Sequence, residues 1–196
     1  MRPPSDHEKA FVDYLQGLVA QENRAALAAL RRGLGKRPGA APEMFPYVVP
    51  WLPAEVSAWD EEAFYLVGAA FAAHQIAWPA EGTPAGPTNL GASFARLAKQ
   101  MESASVERRF VAMLNCRRED LPAHLRHAVS LLRAREVPID WARLLRDIRR
   151  WQRPDRGVQR EWAAAFWAAD PAATPPTAPT GSAPAETAAA AAQGQD

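Results

Sequence analysis

Ser105–Trp151 reads SVERRFVAMLNCRREDLPAHLRHAVSLLRAREVPIDWARLLRDIRRW, and its apolar spacing decides the fold class. From Ile139 to Arg153, the residues Trp141, Leu144, Leu145, Ile148 and Trp151 follow the i, i+3, i+4, i+7 rhythm that lines one face of a 3.6-residue helix. At about 100° per residue, Arg143, Arg146, Arg149, Arg150 and Arg153 fill the arc roughly opposite. Asp147 sits near the margin of that arc, so the basic face carries almost no matching acid. The expectation is a helix that buries a tryptophan-rich stripe and turns five guanidinium groups toward an anionic partner.

The same period recurs on both sides of this stretch. Toward the C-terminus, Asp155 is the expected cap of a last helix that buries Val158, Trp162 and Phe166 or Trp167. Upstream within the stretch, Asp120 with Pro122 starts a helix carrying Leu121, Leu125, Val129 and Leu132 inward. Ser103 or Ser105 caps another with Val106, Phe110 and Met113 or Leu114 inward. Asn89–Met101 is a further helix, built on Leu90, Phe94, Leu97 and Met101. In the first half, Ser5 or Asp6 opens a helix with Phe11, Leu15, Leu18 and Val19, and Asn23 restarts the chain into RAALAALRRGLG. Gly35–Pro46 is a loop, and PYVVPWLP is too rich in proline for more than a turn or two. Glu55 or Asp60 opens a strongly apolar helix through FYLVGAAFAAHQIAW. There is no strand pattern and no repeat of fixed period. The fold class expected is all-α, as two small helical bundles packed together (residues 1–80 and 88–169) joined at the Pro79–Pro87 connector. A Pro/Ala/Thr-rich tail, 170–196, has almost no charge and no aromatic residue and is expected to be disordered.

Charge is distributed unevenly. The chain of 196 residues has a formal net charge of +1, but residues 91–170 hold sixteen Lys+Arg against ten Asp+Glu. Lys99 is the only lysine among those sixteen. Arginine's planar fork suits bidentate contact with phosphate and is weakly hydrated, which favours phosphate recognition or ion pairs over mere solubility. Tryptophans can stack on bases, yet most of the seven lie in phase with aliphatic residues and read as core. The single cysteine, Cys116, excludes an internal disulfide and fits a reducing compartment. Nothing is apolar and long enough to span a bilayer, and no secretory h-region is evident; a cytoplasmic protein is expected.

The residues that could carry chemistry form no catalytic pattern. No Gly-rich phosphate loop, HExxH or paired CxxC is present. His124 and His127 stand three apart on one helix, but nothing nearby completes a ligand set, so they read as exposed polar residues. Cys116 beside Arg117 and Arg118 reads as a lone structural thiol in the absence of a histidine partner. His74 reads as a satisfied core histidine, and Glu61 and Glu62 as carboxylates that favour a helix N-terminus. No enzyme activity, cofactor or metal is expected.

The strings NLGASFARL, SVERRFVAMLN, REDLPAHLRHAVSLL, PIDWARLLRDIRRW and VQREWAAAFW resemble the small subunit of the type I-E CRISPR Cascade surveillance complex, the CasB family. The resemblance spans about Asp6 to Trp167. It implies an all-helical, two-bundle protein without enzymatic activity. It further implies two copies aligned head to tail, packed on the backbone subunits that carry the guide RNA and on the large subunit. It also implies a basic groove that holds nucleic acid, chiefly the displaced non-target DNA strand of the R-loop. Arg31, Arg32, Arg108, Arg109 and Arg117 fall where such members carry basic residues.

Taken together, the expected nucleic-acid-binding set is Arg31, Arg32, Arg108, Arg109, Arg117 and Arg118, with Arg143, Arg146, Arg149, Arg150 and Arg153 of the arginine helix. The expected contact is with the backbone and independent of sequence. Two other classes stay open. One is a stand-alone helical nucleic-acid-binding protein; the other is a purely structural assembly subunit whose arginines pair with acidic protein surfaces.

Overall fold

The computed structural model describes residues 6–37, 39–78, 86–101 and 103–168. The expected disorder of 170–196, most of the Pro79–Pro87 connector and a capping role for Ser5 lie outside them. Among the described residues the chain is all-α: α1 (Asp6–Ala20), α2 (Arg24–Arg31), α3 (Phe45–Val48), α4 (Ala58–Ala73), α5 (Leu90–Met101), α6 (Ala104–Asn115), α7 (Leu121–Ala134), α8 (Trp141–Arg149) and α9 (Gly157–Trp167).

Side-chain caps start most of the longer helices. The Asn23 carboxamide accepts from Ala26 N–H at 3.0 Å and opens α2. Asp140 accepts from Arg143 N–H at 2.9 Å and opens α8. Each satisfies a donor that the first turn leaves orphaned. At α4 the cap is Ser57, whose Oγ accepts from Asp60 N–H at 3.1 Å, rather than Glu55 or Asp60. This helix also stops at Ala73, five residues short of the end of the FYLVGAAFAAHQIAW run. Its end is tied down instead: His74 Nε2 lies 2.7 Å from the Val137 carbonyl. Ala77 then pairs with Ile139 in an isolated parallel bridge, so the apolar Ile76–Trp78 piece becomes extended backbone.

Buried residues from Phe11 to Phe166 form one hydrophobic core that draws on both halves of the chain. Helix α8 is its hub. It packs against α1 and α4, and Trp59 Nε1 of α4 donates to the Ile148 carbonyl at 2.9 Å. Trp141, only 1% exposed, meets the ring of Phe71 edge-on at 5.6 Å. Helices α5 and α9 also pack against each other. Gly91 permits it: a Cβ built there would stand 2.0 Å from the Trp162 carbonyl oxygen, far inside van der Waals contact. Glycine is required here for close approach and not for backbone freedom.

Candidate nucleic-acid interface

The arginine helix does not face outward. Seven of the nine residues of α8 are buried, including Arg143 at 4% exposure, Arg146 at 5% and Asp147 at 1%. Arg143 Nε donates to both Asp147 carboxylate oxygens, at 3.0 and 3.1 Å. Its Nη2 pairs with Glu161 of α9. Arg146 Nη2 donates to Asp147 Oδ1 at 3.1 Å, and the Trp162 indole N–H reaches Asp147 Oδ2 at 2.8 Å. Burial pushes the Asp147 carboxyl above its usual range, while Arg143, the Trp162 N–H and Arg146 pull against it.

Arg149 holds the opposite side of the hub. Its Nη1 lies 2.6 Å from Glu8 Oε1 of α1 and its Nε lies 2.7 Å from Asp60 Oδ1 of α4. The expectation of five solvent-facing guanidinium groups is therefore corrected. Arg143 fastens α8 to α9, Arg146 is buried against Asp147 within α8, and the half-buried Arg149 fastens α8 to α1 and α4; Arg150 is half-buried too, with its Nε enclosed and lacking a hydrogen-bond partner. Arg153 alone of the five is exposed. The helical spacing told which residues share an arc, but among the described residues three of the four acids that answer them are supplied by α1, α4 and α9. Asp147 of α8 itself answers Arg143 and Arg146, and the partners from other helices lie up to 141 positions away in sequence.

The remaining arginines divide by location. Arg31 is exposed, its Nε donating to the Ala72 carbonyl at 3.1 Å. Arg32 stands 4.0 Å from Glu43 in an exposed pair that contributes little. Arg108 and Arg109 are exposed on α6. Arg117, Arg118 and Arg153 are brought together. They line a cleft of about 420 Å³ with Arg156, between the α6–α7 connection and the turn that follows α8. Arg118 is the fixed point: its guanidinium lies 4.6 Å above the Trp59 ring and 3.5 Å from Glu62. Beyond Arg118 a second cleft, about 570 Å³, adds Lys36, Arg37 and Arg126. Seven basic side chains thus border two adjoining clefts, against the carboxylates Glu62 and Glu119.

Sequence reasoning left Arg126, Arg156, Lys36 and Arg37 out of the candidate set. Lys36 and Arg37 had a visible signal, two cations in a Gly/Pro-rich loop. Arg126 and Arg156 had none, because only packing carries them to the same surface. Arg156 reaches its place through a left-handed backbone (φ 48°), with its Nη2 donating to the Leu114 carbonyl at 2.6 Å.

Cys116 lines the first cleft as a half-buried thiol. Burial, with Asp120 nearby, pushes it up to about 11, so it is protonated and unreactive near neutral pH. No group of three or more His, Cys, Asp or Glu is placed to hold a metal ion among the described residues. No described helix is long and apolar enough to cross a membrane.

The family profile described as CRISPR-associated protein Cse2 matches residues 26–167. The chain belongs to the Cse2 family. A Cse2 relative, the CRISPR-associated protein Cse2 of Thermus thermophilus, is 40% identical over 163 residues, covering 81% of this chain and 89% of the relative. The crystal structure of CasB from Thermus thermophilus superposes with a TM-score of 0.68 at 38% identity, over 86% of this chain and 99% of that one. A chain of a CRISPR RNA-guided surveillance complex gives 0.70 at 35% identity, over 83% and 92%. Among Cse2 proteins this chain therefore shares the fold along nearly the whole length of its relatives.

Proposed function

We propose that this Cse2-family chain is a non-catalytic subunit of a CRISPR RNA-guided Cascade complex that holds nucleic-acid backbone along its arginine-lined clefts. The observation that carries the reading is the convergence of Arg117, Arg118, Arg153 and Arg156, continued by Lys36, Arg37 and Arg126, on one surface. Guanidinium forks suit bidentate contact with phosphate, and such contacts carry no base information. Arg143, Arg146 and Arg149 leave the binding set, since each is already paired with a carboxylate of the fold; Arg31, Arg32, Arg108 and Arg109 remain as exposed contacts at its periphery. The partners are guide RNA and the displaced non-target DNA strand, the backbone and large subunits, and a second copy of the chain, in the cytoplasm.

The mechanism needs no chemistry. Guide–target pairing supplies sequence specificity, and R-loop formation is a near-balanced exchange. Phosphate contacts worth roughly 1 kcal/mol each tip that balance toward the opened state; about 1.4 kcal/mol changes occupancy tenfold.

A salt titration of single-stranded DNA binding tests this reading, comparing the parent with Arg117→Ala/Arg153→Ala. The variant should bind more weakly, with a log–log salt slope shallower by about 0.7 per lost phosphate. A parent that shows no salt-dependent binding would instead mark a purely structural subunit. A steep preference for one DNA sequence would mark a stand-alone regulator.

A further inference from the structure

A concave pocket of about 450 Å³ opens between α6 and α7, beside the second cleft and separate from it. Phe94 and Met113, each 1% exposed, and Ala128 form its floor. Arg109, His124 and His127 stand around it, and no acid lines it. Arg109 makes no ion pair with any described residue. A volume of this size lies in the range of small-ligand sites. The combination of an apolar floor and a cationic rim suits a flat, weakly polar body attached to an anion.

The pocket also lies at the end of the phosphate track. Arg126, which borders the second cleft, has its Nη2 3.5 Å from His127 Nε2 of the pocket rim. A strand whose phosphates pass Arg126 arrives at the pocket mouth with its next nucleotide.

We propose that this pocket seats one unstacked nucleobase of a single strand whose backbone follows the arginine clefts. The base face buries against Phe94 and Met113, and Arg109 meets the adjoining phosphate. His124 and His127 offer ring nitrogens to the base edge. An unpaired base exposes both π-faces and its pairing edge, which a duplex conceals, so the pocket selects single strands. The inference rests on the backbone-binding reading above and adds to it a base-dependent contact.

The test uses the full chain and two 20-mers of equal phosphate count, oligo(dT) and its fully abasic counterpart, by fluorescence anisotropy at fixed salt. The parent should bind oligo(dT) about tenfold more tightly than the abasic strand, a ratio at the modest end of base-stacking effects. Ala112→Trp fills the mouth from an exposed position and should erase that ratio while abasic binding stays unchanged. His127→Ala, as a second variant with no bulk added, should reduce the ratio. Arg117→Ala/Arg153→Ala should weaken both strands equally and preserve it. Equal parental affinity for the two strands overturns the base seat and leaves backbone binding standing. A ratio that survives both pocket variants also overturns it. If the parent binds neither strand, the backbone reading falls and the base seat falls with it.

Discussion

Arg143 and Asp147, one turn apart on α8, form an ion pair that solvent scarcely reaches, with Nε 3.0 and 3.1 Å from the two carboxylate oxygens. On an exposed helix such an i,i+4 pair is worth a few tenths of a kcal/mol. Here it is the centre of a cluster with Arg146, Glu161 and Trp162, which ties α8 to α9. Burying charge costs free energy that the pairing only offsets, so the cluster fixes where α9 sits more than it adds net stability.

Removing one partner should therefore be costly. Arg143→Ala is expected to lose about 3 kcal/mol, the lower end for a broken buried pair because Arg146 still reaches Asp147. Arg143→Met with Asp147→Leu should recover much of that loss. Urea melts of the two variants check both numbers; a parent-like Arg143→Ala melt would mean the pair is solvated.

Trp141 is buried in the contact between α4 and α8, touching Phe71 and near His74. Trp141→Ala should cost roughly 3–5 kcal/mol, as large-to-small core changes do. Its indole N–H is buried without a hydrogen-bond partner, so Trp141→Phe should cost distinctly less. Comparing the two denaturation midpoints measures the difference.

Gly91→Ala should separate α5 from α9. With the added methyl 2.0 Å from the Trp162 carbonyl oxygen, the backbone must shift, and overpacking of this kind costs about 3 kcal/mol. For a chain of this size that is a fall of about 6–12 °C in the thermal midpoint. Gly17→Ala, where nothing lies within 4 Å of the new methyl, should not lower it.

His74 makes stability pH-dependent. Burial lowers its pKa, the Val137 hydrogen bond opposing and Arg133 assisting. The folded protein thus resists a proton that the unfolded chain accepts below about pH 6.5. Stability should be full above that pH and fall as acid is added down to the folded pKa, then level off. His74→Gln keeps a donor for the Val137 carbonyl and should flatten this part of the profile in denaturant melts between pH 7.5 and 5.

Helix identity, the inward residues and the all-α class were legible in order along the chain, because a 3.6-residue period and a capping side chain are local facts. Trp141, Leu144, Leu145 and Ile148 are buried as their spacing required. The arginines show where local reading stops. A helical wheel separates an apolar arc from a basic one and takes the second for surface, but α8 has neighbours on both sides. Glu8, Asp60 and Glu161 reach its basic arc from α1, α4 and α9, and nothing in the spacing of residues 141–153 announces them. Conversely, Arg126 and Arg156 belong to unrelated segments and border adjoining clefts only once α7 and the turn before α9 are packed. The sequence by itself determined which residues are helical, which are apolar and that the second half is rich in guanidinium. Whether a given guanidinium meets a carboxylate or open water was decided by the tertiary structure alone, because charge pairing is set by distance in space.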